Sequence, residues 1–303
     1  MARLHLIHAG FRKAASSSLQ HHFFGAHPGI NNLGKYYGGP DKEAAWDLVN
    51  YLMLTGQAAY DQGLAQAKYQ AAVGGRLSAG LANVFSDERL TVSGGLDAGL
   101  VAERLARLAG EPDILLVLRR PLDVVVAQWV HLYTQRKLAI ALDDWIQVNF
   151  EFQHSYLTAA NYGPIVAAYA RYFGRGRVHV FLYEAMVQDM AGFVAKVCDL
   201  LGIDRQVALP LLDRSVQRVA ERPSARQVAV AGSPLLRRAA GLARGALPPA
   251  AVAGLRQVVR GGGRAAPRPA PALAARIAEL CRAGNRQLAA EYGLPLERFG
   301  YPL

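Results

Sequence analysis

The sequence predicts an α/β fold: a central parallel sheet covered by helices on both faces. Short apolar runs alternate with longer amphipathic stretches through the first two thirds of the chain, the pattern of strands joined by crossover helices. Ile114-Leu115-Leu116-Val117-Leu118 is apolar at every position, as a strand buried on both faces must be. Of 303 residues, 52% are apolar, enough for a full core, which excludes a disordered chain. A prior of about 150 residues per domain allows two domains. Folds of this class and size also form one, and residues 1–303 are read as a single domain.

Taken in order, Leu4–His8 reads as a first strand, with a turn at Gly10 and a helix from about Ala15 to Ala26 that His27-Pro28-Gly29 stops. Residues 41–72 read as helix, with Trp46, Val49, Leu52 and Met53 on one face. Asn83–Phe85 is a short strand, and Asp97 caps a helix that ends at Gly110. After the strand Ile114–Leu118, Pro121 opens a helix, a position where its missing N–H does no harm. Helix is expected around 143–172, then a strand over Val178–Tyr183 and a helix from about Met190 to Leu201, stopped by Gly202. Residues 223–275 turn to Pro, Gly, Ala and Arg. They read as short helices joined by linkers, serving as a lid or an oligomer contact. A last helix runs over roughly 272–291.

Charge and cysteine content narrow the function. Residues 1–204 carry 18 basic and 18 acidic side chains, whereas residues 205–303 carry 16 Arg, no Lys and 5 acids. The net charge of +11 therefore lies in the last third, and such a segment attracts anions. A solvated, Arg-rich surface is the plainer reading of the same residues. Cys198 and Cys281 exclude a disulfide framework and a Cys-based zinc site. No apolar run approaches the ~20 residues that cross a bilayer, and the N-terminus lacks the apolar core of a signal peptide. A cytoplasmic protein without stable membrane insertion is expected, with peripheral contact left open, as monomer or homodimer. Eight histidines show no metal-ligand spacing, Asp143-Asp144 reads as a helix start, and no Gly-x-Ser-x-Gly elbow is present.

One segment carries most of the chemistry. His8-Ala9-Gly10-Phe11-Arg12-Lys13-Ala14-Ala15-Ser16-Ser17-Ser18-Leu19-Gln20 leaves a strand and enters a helix. Such a junction presents free backbone N–H groups and the positive end of a helix dipole. With Lys13 and three serine hydroxyls it makes a cradle for phosphate or sulfate; an ordinary N-cap with Ser16 in the first turn uses the same residues. The pattern is not the P-loop, because the glycine before lysine is absent.

The segment resembles the 5′-phosphosulfate loop of sulfotransferases that use 3′-phosphoadenosine 5′-phosphosulfate. There the loop reads His-x-Gly-x-x-Lys-Thr, a small residue, then Thr-Thr-Ser-Leu-Gln. Here Lys13 takes the lysine place, Ser16 and Ser17 the two threonines, and Ala14 replaces the first threonine. Leu118-Arg119-Arg120-Pro121 and Val180-Phe181-Leu182-Tyr183-Glu184 fall where the family has its other motifs, and Tyr292-Gly293-Leu294 to Gly300-Tyr301-Pro302 resembles the family's tail. The resemblance spans residues 4–303 and is weakest over 205–275. It implies a P-loop-NTPase-like three-layer fold with an Arg/Ala-rich helical C-terminal part. It implies sulfuryl transfer without a metal, to a hydroxyl of a glycan, glycolipid or small metabolite.

The donor-binding set it implies is Arg12, Lys13, Ala15, Ser16, Ser17, Ser18, Arg119 and Tyr183. Lys13 offsets charge on the departing phosphate, Arg119 holds the 3′-phosphate, and Tyr183 stacks on adenine. The family's phosphate-binding serine, eight residues after the arginine, is Ala127 here. Glu88, closing the strand in Ser86-Asp87-Glu88, is the expected general base, with Asp87 and His131 in reserve. Two other readings stay open: a P-loop-type phosphotransferase (kinase), and a non-catalytic binder of nucleic acid or anionic lipid through the basic third.

Overall fold

The computed structural model describes residues 2–35, 42–91, 97–135, 140–213 and 267–303, with scattered positions between 224 and 258. The chain enters on β1 (Leu6–Gly10) and turns into one α-helical turn, α1 (Ser16–Ser18), which widens to a π-helix over Leu19–Phe24. Next come β2 (Ile30–Asn32), α2 (Lys42–Leu54), α3 (Gln62–Ala72), β3 (Ala82–Ser86) and α4 (Ala98–Ala109). Then follow β4 (Asp113–Leu118), α5 (Pro121–Gln135), α6 (Leu142–Phe150), α7 (Tyr162–Phe173) and β5 (Val178–Leu182). Helices α8 (Tyr183–Gln188), α9 (Met190–Leu201), α10 (Arg205–Asp213) and α11 (Pro271–Tyr292) complete the described chain.

All described strand pairs are parallel, in the order β2-β3-β1-β4-β5. Strands β2 and β3 lie on one side of β1 and β4 and β5 on the other, so the chain reverses direction across the sheet at the β1–β4 seam. In open α/β sheets the cleft at the carboxyl ends of strands at such a reversal receives ligands. The period-2 alternation sorts the core. Ile7, Phe85, Ile114, Leu116 and Leu118 pack under α2, α4, α7 and α11, while Leu6, Val84, Leu115 and Val117 face the π-helix, α9 and α10. A third cluster, around Trp129, Trp145 and Ile277, joins α5, α6 and α11. The last helix docks closely: a Cβ at Gly163 of α7 would stand 2.4 Å from the Gly284 Cα.

The capping residues act as their chemistry dictates. Asp97 accepts from the Gly99 N–H at 2.9 Å, and Asp189 from the Gly192 N–H at 2.8 Å. Gly202 closes α9 at φ 65°, a left-handed turn that only glycine takes freely.

Several expectations are corrected. Helix over 41–72 divides into α2 and α3, with Gln57–Ala59 forming a separate 3₁₀ turn. Trp46 is 49% exposed rather than core: the Arg89 guanidinium lies 3.9 Å from its ring. Helix around 143–172 is interrupted near Thr158–Ala160. The first strand starts at Leu6 and runs on to Gly10. Most of 223–275 lies outside the described residues.

Candidate active site

The β1–β4 seam carries the predicted loop. Gly10 takes φ +117°, and a Cβ there would meet Glu88 Cα at 3.1 Å and Thr91 Oγ1 at 2.9 Å. Only glycine fits this close approach, which sets the Glu88 backbone against the end of β1. Lys13 and Ala15 both adopt left-handed backbone, at φ 61° and 65°. Such conformations cost about 1–3 kcal/mol each and gather where a loop is shaped for a ligand. Ser16 does not cap the following turn; its hydroxyl donates to the Phe11 carbonyl at 2.9 Å and is buried. It braces the loop, while Ser17 is exposed and Ser18 half-buried.

Arg119 ties β4 to this loop. Its Nη1 donates to the Lys13 carbonyl at 2.8 Å, and its guanidinium lies 4.8 Å from the Tyr183 ring. Its carbonyl accepts from the Tyr162 hydroxyl at 2.7 Å. Its Nε is buried with no partner among the described residues. Tyr183, expected to stack on adenine, thus holds the arginine on one face. Glu184 takes the neighbouring Arg120 N–H at 2.9 Å on one oxygen and the Tyr301 hydroxyl at 2.9 Å on the other. The C-terminal tail thereby fixes the strand end that carries Arg119.

Lys13 is crowded by cations. Burial, and then the charges of Arg12, Lys35 and Arg119, push its ammonium down to about 8, against an opposing pull from Glu88. Three positive neighbours around a half-buried lysine give the loop a field that attracts anions.

Glu88 is within electrostatic reach of Lys13, but it is occupied. Oε1 accepts from Lys35 Nζ at 2.7 Å and Oε2 from Gln20 Nε2 at 2.8 Å. Burial favours its neutral form, yet the Lys35 charge and these hydrogen bonds outweigh it and hold the carboxyl at about 2. Lys35 carries no sequence signal, and Gln20 enters the sequence reading only as the end of the loop motif, not as a partner of Glu88. Of the reserves, Asp87 is committed to a bidentate pair with Arg89, at 2.7 Å and 2.9 Å, and His131 lies farther along α5. His8, in the middle of β1, is buried and bonds Ser86 Oγ at 2.7 Å, and burial lowers it to about 4.

Arg12 stands beside Lys13 on the same loop. It lines a small cleft with Phe11, Val124, Gln128, Tyr156 and Ala159, and its Nε is buried without a partner among the described residues. Among those residues no helix is long and apolar enough to cross a membrane.

A parallel sheet of this order, flanked by helices, is a P-loop-like α/β fold. Residues 100–206 match the model described as the sulfotransferase family, a span that includes Arg119 and Tyr183 and begins after the Lys13 loop. Over that span the chain is similar to sulfotransferases, which supports a transferase. No curated protein sequence matches it. Among solved structures, a sulfotransferase from Alicyclobacillus acidocaldarius shares 21% identity over 68% of this chain and 83% of its own, with a TM-score of 0.51, and shows the same fold. The sulfotransferase domain of the Synechococcus PCC 7002 olefin synthase matches at 14% identity, 97% and 95% coverage and TM-score 0.44. A mouse sulfotransferase complexed with PAP matches at 11% identity, 97% and 89% coverage and TM-score 0.44.

Proposed function

We propose that this transferase moves a sulfuryl group from 3′-phosphoadenosine 5′-phosphosulfate to a hydroxyl of a glycan, glycolipid or small metabolite, by in-line attack. The observation that carries the reading is Arg119. One guanidinium braces the Lys13 carbonyl, packs on Tyr183 and keeps a buried, unpartnered Nε at the strand reversal. The residues fit a nucleotide with phosphate at both ends: the Lys13–Ser18 loop for the 5′ end and Arg119 for the 3′-phosphate.

In this reading Lys13 stands where negative charge grows on the oxygen between sulfur and the leaving phosphate, and a positioned ammonium offsets it. Glu88 receives the proton of the attacking hydroxyl. A carboxylate held near 2 is a weak base while Lys35 remains on it. The reading therefore requires Lys35 to turn from Oε1 toward the sulfuryl oxygens, freeing the carboxylate for the proton.

Calorimetric titration with adenosine 3′,5′-bisphosphate, ATP–Mg²⁺ and a DNA duplex tests the reading. Binding of the bisphosphate alone supports it. Binding of ATP–Mg²⁺ in its place supports phosphoryl transfer, and a steeply salt-dependent affinity for DNA supports nucleic-acid binding.

A further inference from the structure

Beside the loop lies a small, mostly apolar cleft that holds two buried polar groups. Phe11, Arg12, Val124, Gln128, Tyr156 and Ala159 line it. Gln128 is 2% exposed, yet neither its amide nitrogen nor its oxygen has a partner among the described residues. Arg12 Nε, in the same pocket, is equally orphaned. Buried polar groups are rarely left so, and here an amide and a guanidinium share the deficit.

The cavity volume is about 10 Å³, near the limit for a single water-sized group. It admits one oxygen rather than a ring. The guanidinium and the amide NH₂ both donate, and the guanidinium is always charged. An anionic oxygen gains a charge-assisted bond there that a neutral hydroxyl does not. Phe11 and Arg12 of this lining are part of the Lys13 loop, so an oxygen held here lies against that loop.

We propose that Gln128, with Arg12, forms the specificity subsite for the acceptor, and that the acceptor carries an acidic group beside its reactive hydroxyl. The proposal rests on the sulfuryl-transfer reading above. Its test uses matched probes that differ only in the acid: methyl glucuronide against methyl glucoside, hydroxybenzoate against phenol, and glycerate against glycerol. Transfer of radiolabelled sulfuryl to each is measured as kcat/KM. The wild type is expected to prefer the acidic member by about tenfold or more. Gln128→Leu should collapse that ratio toward one. Gln128→Glu, nearly the same shape, sets an anion against Arg12 and should invert the preference.

Affinity for adenosine 3′,5′-bisphosphate is measured in each variant, because a merely distorted site would lose it as well. Equal use of both members by the wild type overturns the proposal. So does an acid preference that survives Gln128→Glu, or no transfer to any probe while the bisphosphate binds. Failure of the wild type to bind the bisphosphate would instead strike the donor reading, and this proposal with it.

Discussion

Replacing Arg119 is the sharpest perturbation of the cradle, because one side chain does two separable jobs. Its Nη1 holds the Lys13 carbonyl at 2.8 Å, and its orphaned Nε is the group left for a ligand. Hydrogen bonds to charged groups contribute about 1.5–3 kcal/mol. Losing the ligand contact alone in Arg119→Ala should therefore weaken adenosine 3′,5′-bisphosphate binding about 10- to 100-fold. The Lys13 loop also loses its brace, so the loss belongs at the upper end. Arg119→Lys keeps the charge but has no planar fork with which to grip the carbonyl and the phosphate together. It should recover less than half of the lost free energy. Titration calorimetry of the three proteins reads this directly. Unchanged affinity in Arg119→Ala would remove Arg119 from the site, and full recovery by lysine would show that charge alone matters.

Four more outcomes follow from the same geometry. Lys13→Ala should depress turnover far more than binding of the bisphosphate product; an equal loss in both would mean that Lys13 only holds ground-state charge. The bisphosphate should bind best below about pH 8, where Lys13 is protonated in the free protein. Above that pH each binding event must restore the proton, so affinity should fall roughly fivefold between pH 8 and 9; a flat profile in calorimetry would place Lys13 away from the ligand. Glu88→Gln should cut turnover by about 10²–10⁴ with donor binding nearly intact, and near-normal turnover would pass the role of base to His131. Lys35→Met should raise the Glu88 carboxyl toward its ordinary range, moving the acid limb of the pH–rate profile upward; an unmoved limb would separate Glu88 from proton transfer.

The contrast between what sequence foretold and what it missed has a physical basis. Ile114–Leu118 was legible because a strand covered on both faces needs every side chain apolar. By contrast, β2 has only three residues, two of them asparagines, and it is recognisable from tertiary partners alone: Asn31 Nδ2 donates to Asn83 Oδ1 at 2.7 Å and to the Arg76 carbonyl at 2.8 Å. The loop around Lys13 could be placed because a strand–loop–helix junction with lysine and serines has a chemistry of its own. The partners of Glu88 could not, since Lys35 and Gln20 reach it across 53 and 68 positions of sequence. Gln128 shows no signal either. A lone glutamine in an apolar helix looks like a surface residue until its burial is known. Trp46 failed in the opposite direction, because the helical period gave it a core position that Arg89 covers from outside.

The account turns on sulfuryl transfer from the bisphosphate-type donor through the Lys13–Arg119 cradle. The most direct measurement follows radiolabelled sulfur from 3′-phosphoadenosine 5′-phosphosulfate into a pool of hydroxylated acceptors, with Lys13→Ala as the control. The account predicts that label moves to an organic acceptor as adenosine 3′,5′-bisphosphate appears in equal amount, and that both nearly cease in the control. Label that stays on the donor, or that appears only as inorganic sulfate, would contradict it.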